Sequence, residues 1–323
     1  METIQALLQQ GVQLHTQGDF QGAVMAYQQA LDLDPDNAVL HNNLGFLYGQ
    51  LQNWEQSLHH LHKAIDINDQ LAIVYANLGQ VQAATQQGKE AVKNLQQAIT
   101  LEPDNTDHWH QFARVCFAAQ DYPNAEYAWY RALNLAPDNV EYLLGLATTM
   151  VAQQRYSEAY PVFEHIFQLQ PDCQPAWAQK GVALFLQQNY GAAKQCLLKA
   201  LDLNASDYTA LKHLALTHIA CKENEQALAT MDQLHRVFPQ DTAIECDLAV
   251  LELSVGRKQQ AKDRLQQLAA TQEDSRVLYY LAVSLQECGE NPSQSEVLFN
   301  KIIARQDEYS TKAKMSKQLL NIH

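Results

Sequence analysis

Apolar and small residues recur along this chain with a helical period, and that pattern itself returns every 34 positions. In residues 4–37, Leu7, Gly11 and Leu14 share one face of a helix. Gly18-Asp19-Phe20 breaks that helix, and Ala23, Tyr27 and Ala30 mark the inner face of a second. Asp34-Pro35-Asp36 ends the second helix, because proline disfavours helical geometry in the residue before it. The stretch therefore predicts an antiparallel hairpin of two helices. Its facing surfaces meet at Gly11 and Ala23, where small side chains let the backbones approach closely.

The same columns run on without a break. Pro35, Pro103, Pro137, Pro171 and Pro239 are spaced by 68, 34, 34 and 68 residues. One small column reads Gly11, Gly45, Gly79, Ala113, Ala147, Gly181, Ala215 and Ala249. A second reads Ala23, Ser57, Ala91, Ala125, Ala159, Ala193, Ala227 and Ala261. Four positions later stands a larger apolar residue each time: Tyr27, Leu61, Leu95, Trp129, Phe163, Leu197, Met231 and Leu265. Each hairpin leaves apolar surface that only its neighbour can cover, so the units must stack.

The unit resembles the tetratricopeptide repeat (TPR), the 34-residue helix-turn-helix with W-x2-L-G-x2-Y, then A-x3-F, A and P. The match is closest at Trp109, Phe112, Ala113, Ala125, Trp129, Ala132 and Pro137, and at His41, Leu44, Gly45, Tyr48, Ser57, Leu61 and Ala64. Repeats are expected to start near residues 4, 38, 72, 106, 140, 174, 208 and 242. A degraded ninth starts near 275, with one residue inserted around Gly289-Glu290-Asn291-Pro292. A polar capping helix is expected at about 309–321, with Lys312, Lys314 and Lys317 on its wetter face. The 34-residue beat shows no linker, so residues 1–323 read as one array. The resemblance implies an all-α fold, a right-handed superhelical solenoid of about nine repeats, whose first helices line a concave groove.

In such a solenoid, positions 2, 5, 6, 9, 12 and 13 of each repeat face the groove. Position 6 here reads Gln9, Asn43, Asn77, Gln111, Gly145, Gln179, His213 and Asp247, a ladder of amides broken at Gly145. Amides at a regular rise suit the backbone of an extended peptide, offering both donors and acceptors. Asn42 adds an amide at position 5, and Gln80 stands at position 9. Phe46, Phe117 and Phe185 are candidate pockets for side-chain anchors. His110 and Arg114, four apart on the groove side, form a local cationic spot. The carboxylate clamp of co-chaperone members is not expected, because Lys212 is followed by Leu216 where that clamp requires Asn.

Other chemistry has weak support. His59, His60 and His62 with His41 are read as exposed helical histidines rather than a metal site, since no Cys or acid has a place beside them. His108 and His110 flank the aromatic-column Trp109 without an assigned role. The six cysteines form no CxxC pair and read as free thiols; Cys173, just after Pro171, is expected at the surface. There is no GxGxxG, GxxxxGK[ST], HExxH or GxSxG, and neither a cofactor nor catalysis is expected.

Composition narrows the partners. The 323 residues carry a net charge of −14, against which a nucleic-acid polyanion is not expected. Residues 1–256 hold 28 acids and 12 bases, whereas 257–323 hold eight and ten, so the basic end is a candidate contact for an acidic partner. No apolar run approaches the roughly 18 residues of a membrane span, and METIQALLQQ lacks a basic start, which predicts a cytoplasmic protein. Glutamine fills about one position in eight and is assigned to solubilising the outer helices. The expected function is a non-catalytic scaffold that holds a peptide or subunit of another protein, as an adaptor or assembly factor. The resemblance extends to bacterial proteins of pilus, envelope, photosystem and secretion assembly, so a bacterial source is expected. The alternative is a targeting arm working with a separate enzyme such as a glycosyltransferase, which the capping helix argues against.

Overall fold

One short device makes every hairpin. The first helix, α1 (Ile4–Thr16), ends where Gly18 takes a left-handed backbone with φ of 83°. That turn lets the Asp19 amide donate back to the Leu14 carbonyl at 2.9 Å, the long bond of a Schellman cap. The Asp19 carboxylate then accepts from the Gly22 amide and caps α2 (Phe20–Leu33). The left-handed residue recurs at Gln52, Gln86, Gln120, Gln154, Gln188, Lys222, Gly256 and Gly289, one in each following repeat. Five consecutive glutamines thus sit in a conformation that L side chains resist. They are turn residues, a placement that the assignment of glutamine to outer helices does not include.

The computed structural model describes residues 3–290 and 292–320, and among these it contains nineteen helices and no strand. Their contacts group into two compact units, residues 1–171 and 172–323. In the first unit, α1 and α2 are followed by α3 (Ala38–Gln50), α4 (Trp54–Ile67), α5 (Ala72–Ala84) and α6 (Gly88–Leu101). Then come α7 (Thr106–Ala118), α8 (Tyr122–Leu135), α9 (Val140–Ala152) and α10 (Tyr156–Leu169). The second unit begins with α11 (Gln174–Leu186), α12 (Tyr190–Leu203), α13 (Tyr208–Ala220) and α14 (Asn224–Val237). It continues with α15 (Thr242–Ser254), α16 (Lys258–Thr271), α17 (Ser275–Glu287), α18 (Pro292–Arg305) and α19 (Glu308–Leu320). The first helices begin at 4, 38, 72, 106, 140, 174, 208, 242 and 275. Of the inserted segment, Asn291 lies outside the described residues, as does Asn321 at the expected end of the cap.

The columns are the hairpin cores. A Cβ added at Gly11 would stand 2.3 Å from the Tyr27 ring, and one at Gly45 would stand 2.6 Å from Leu61. Close approach to the large residue across the hairpin therefore fixes the small column. The second small column is fully buried, and Ser57 keeps its hydroxyl there by donating to the Gly45 carbonyl at 2.6 Å. In the second unit, α19 buries Tyr309 and Ala313 against Leu278, Phe299 and Ile302, covering the last hairpin.

Two surface expectations are corrected. Cys173 is buried, because a thiol packs as a small hydrophobe at the start of α11. His41 is buried and His60 half-buried, although His59 and His62 are exposed. The His41 Nε2 bonds the Pro35 carbonyl at 3.0 Å, and its Nδ1 lies 2.9 Å from the His60 Nδ1. The two rings join α3 to α4, which takes them out of water.

Candidate functional site

The first helices of the first unit carry a chain of cavities. One of about 610 Å³ lies over Val12, His15, Asn43 and Phe46. Phe46 and Gln50 are shared with the next, of about 260 Å³, which also touches Asn77 and Gln80. Gln80 leads to a third of about 650 Å³ over Ala83, His110, Gln111 and Arg114. His110 and Arg114 open onto the last, of about 270 Å³, walled by Phe117, Trp129, Leu144 and Thr148. Repeat position 9 contributes to all four, through Val12, Phe46, Gln80, Arg114 and Thr148. The sharing makes a continuous groove from α1 to α9.

This groove is nearly free of charge within a strongly acidic unit. Residues 1–171 carry 18 acidic and six basic side chains, and 172–323 carry 18 and 16. Yet α1, α3 and α5 contain no Asp, Glu, Lys or Arg, and α7 and α9 contribute only Asp107, Arg114 and Glu141. The net charge of the unit belongs to its second helices and turns, so it does not select what the groove holds.

The amide ladder is used largely inside the protein. Asn77 donates to the Asn42 carbonyl oxygen at 2.9 Å, and Asn42 to that of Asn43 at 3.3 Å. Asn43 also bonds the Tyr27 hydroxyl. Asn42 and Asn77 are buried, so they brace α3 against α5 instead of facing the opening, although Asn77 still borders a cavity. Gln9 is exposed and borders none of the four cavities. Gln111 does border the groove, but its Oε1 is buried without a hydrogen-bond partner. Such an acceptor costs roughly 1–3 kcal/mol. Gln111→Met, of similar length, is expected to raise the urea midpoint by an amount worth about 1 kcal/mol. A lowered midpoint would contradict the assignment.

Around Arg114 the geometry is more open. Phe46 is 36% exposed, and Phe117 is half-buried with its ring 5.6 Å from Tyr122. Gly145, which interrupts the amide column, is where a Cβ would stand 2.4 Å from the Trp129 indole. The gap in the ladder therefore admits Trp129, whose Nε1 donates to the Thr149 hydroxyl at 3.2 Å. His110 lies against Trp129 and Tyr142 and contacts the Glu141 carboxylate at 3.2 Å. Burial pulls the His110 pKa down, and Glu141 only partly opposes this. His110 is thus neutral at pH 7, which leaves Arg114 as the cation.

In the second unit, Gln179 and Phe185 are half-buried, and the Phe185 ring packs at 5.8 Å from Tyr190 and 5.9 Å from His213. Phe185 thus fills a packing role that its column position did not reveal. The basic end is mostly neutralised. Lys258 pairs with Glu287, Lys262 with Glu290, Arg264 with Glu252, Arg276 with Asp247, and Lys317 with Glu296. Lys301 and Arg305 share Glu273. All but the Arg264–Glu252 pair tie one repeat to the next or to the capping helix, and this internal pairing weakens the expectation of an acidic docking face. Among the described residues, no three His, Cys, Asp or Glu side chains form a metal-binding group. No described helix is long and apolar enough to cross a membrane.

Family profiles of the tetratricopeptide repeat match residues 36–102, 76–140, 117–181 and 174–207, and a TPR-repeat profile matches 11–52. They overlap into one stretch from 11 to 207, more than half the chain. The chain belongs to the tetratricopeptide-repeat family. A search of curated proteins finds no match. Among solved structures, this TPR protein resembles a repeat protein of Parabacteroides merdae ATCC 43184, at 15% identity and TM-score 0.65, over 77% of this chain and 98% of that one. It resembles PilF of Pseudomonas aeruginosa at 19% identity and TM-score 0.52, over 62% and 92%. It also resembles YrrB, a TPR protein with an unusual peptide-binding site, at 22% identity and TM-score 0.50, over 59% and 98%. At these identities the likeness is one of fold.

Proposed function

We propose that this TPR protein is a non-catalytic interaction scaffold, and that its first unit holds an extended segment of a partner protein in the groove from α1 to α9. The carrying observation is the unbroken line of four cavities, sharing Phe46, Gln80 and Arg114, along first helices whose only charged side chains are Asp107, Arg114 and Glu141. A preformed groove on rigid helices binds with little ordering of the protein itself. Apolar and amide lining suits backbone hydrogen bonds combined with side-chain anchors. The peptide-binding site of YrrB supports the same reading by analogy of fold. The role is that of an adaptor or assembly factor in the cytoplasm, without cofactor or nucleic acid.

The test is affinity capture with the full chain beside the double variant Phe46→Ala/Gln80→Ala, which removes two of the side chains shared by neighbouring cavities. A groove partner is expected to be lost from the variant, with thermal unfolding little changed, since both side chains are exposed. A partner retained equally by both proteins would place the interaction elsewhere.

A further inference from the structure

The chain has eight arginines, and most hold a carboxylate of the protein. Arg155 is clamped by Glu126 and Glu158, Arg257 by Glu225, Arg264 by Glu252, Arg276 by Asp247, and Arg305 by Glu273. Arg131 lies over the Trp109 ring at 4.9 Å, and Arg236 donates to the Asp232 carbonyl. Arg114 differs: it is exposed and makes no hydrogen bond or ion pair among the described residues. It is also the sole Lys or Arg on the five first helices of the first unit. It stands where the third and fourth cavities meet, bordering both. The nearest acid in that lining, Glu141, is engaged by His110 at 3.2 Å and leaves the guanidinium unpaired.

We propose, resting on the groove reading above, that Arg114 receives an internal Asp or Glu side chain of the bound segment, with a large apolar side chain beside it in the Phe117–Trp129–Leu144 cavity. A planar guanidinium can hold a carboxylate through two parallel hydrogen bonds, which fixes register as well as adding affinity. The 270 Å³ cavity next to it has one aromatic and one aliphatic wall, the form of an anchor pocket. Cavities continue on both sides of Arg114, so a chain can run through, and this favours an internal acid over a chain end. Three repeats of uncharged lining precede this point. The rest of the segment therefore meets amides and apolar side chains, and one ion pair sets its position.

A library of random 12-residue peptides, displayed with no free C-terminus, is panned on the full chain, on Arg114→Gln and on Phe46→Ala/Gln80→Ala. The expected selection from the wild-type protein is peptides carrying Asp or Glu within two residues of Phe, Trp, Leu or Met. Synthetic, C-terminally amidated versions should lose about 10- to 100-fold in affinity on Arg114→Gln, or on replacing that acid by its amide. The two changes together should do little more than either alone. Peptides that need the groove but show no enrichment of acids would overturn this assignment and leave the groove reading standing. So would affinity indifferent to Arg114→Gln, or binding that appears only with a free C-terminal carboxylate. Absence of any peptide sensitive to Phe46→Ala/Gln80→Ala would overturn both readings.

Discussion

Replacing Gln52, Gln86, Gln120 and Gln154 together by glycine is expected to raise the unfolding temperature of the first unit by roughly 5–10 °C. Each residue has φ near 60°, where an L side chain costs about 1–2 kcal/mol. Glycine removes that strain but adds entropy to the unfolded chain, worth about 0.5–1 kcal/mol. The net gain is thus some 0.5–1 kcal/mol per site. The four turns lie in four different repeats, so the gains should add. All four side chains are exposed and none packs in a core, so little is lost in exchange. The converse changes sharpen the test. Gly18→Ala and Gly256→Ala, at φ of 83°, should each destabilise by about 1 kcal/mol or more. A fourfold variant that melts at or below the wild-type temperature, or harmless alanines at 18 and 256, would refute this account of the turn.

That turn also shows what the sequence discloses and what it withholds. The helix-turn-helix repeat was legible because packing imposes it: Gly11 must clear the Tyr27 ring and Gly45 must clear Leu61, so the columns cannot drift. The strained glutamines were not legible. Gly18-Asp19 announces a left-handed turn by residue type, whereas Gln52-Asn53 adopts the same backbone because the Schellman bond from the Asn53 amide to the Tyr48 carbonyl, at 2.9 Å, demands it. The local cap bond overrode residue propensity there, and only the 34-residue phase with Gly18 could have signalled it.

The groove was half legible for a related reason. Position within the repeat says which way a side chain leaves the helix, and it brought Phe46, Gln80, Arg114 and Phe117 to the cavities. It does not say whether an amide finds a partner inside the protein. Asn42 and Asn77 satisfy each other because they are 35 residues apart, one repeat plus one position, so the two amides meet across adjacent first helices. Trp129 was read as a core column, and it is one. Its indole also passes over Gly145 to become a groove wall, a reach set by ring size and by the missing Cβ.

Acidification from pH 7 to pH 5 is expected to destabilise the first unit through the His41–His60 pair, before its carboxylates begin to titrate. His41 donates from Nε2 to the Pro35 carbonyl, which leaves its Nδ1 as an acceptor, and the His60 Nδ1–H donates into it. Burial pushes His60 down to about 4, with His41 and His59 close by adding to the shift. Burial lowers His41 as well, and its bond to Pro35 only partly offsets this. In the unfolded chain both imidazoles titrate near 6.5. Below that pH the unfolded state takes up protons that the folded state refuses, so stability is fully present above about 6.5 and declines as pH falls toward 4. For His60 alone the loss at the acid end is of the order of 2–3 kcal/mol. Glu158, whose pKa the Arg155 bond lowers, contributes stability that is lost only below the usual carboxylate range, so pH 6.5 to 5 isolates the histidines. His60→Gln, which keeps an N–H donor toward His41, should lower the midpoint slightly at pH 7 and flatten its decline between pH 7 and 5. His41 and His110, both lowered by burial, remain in the variant and leave a residual slope. A wild-type urea midpoint unchanged across this range, or a His60→Gln midpoint falling in parallel with it, would show that the pair is not the acid-sensitive element.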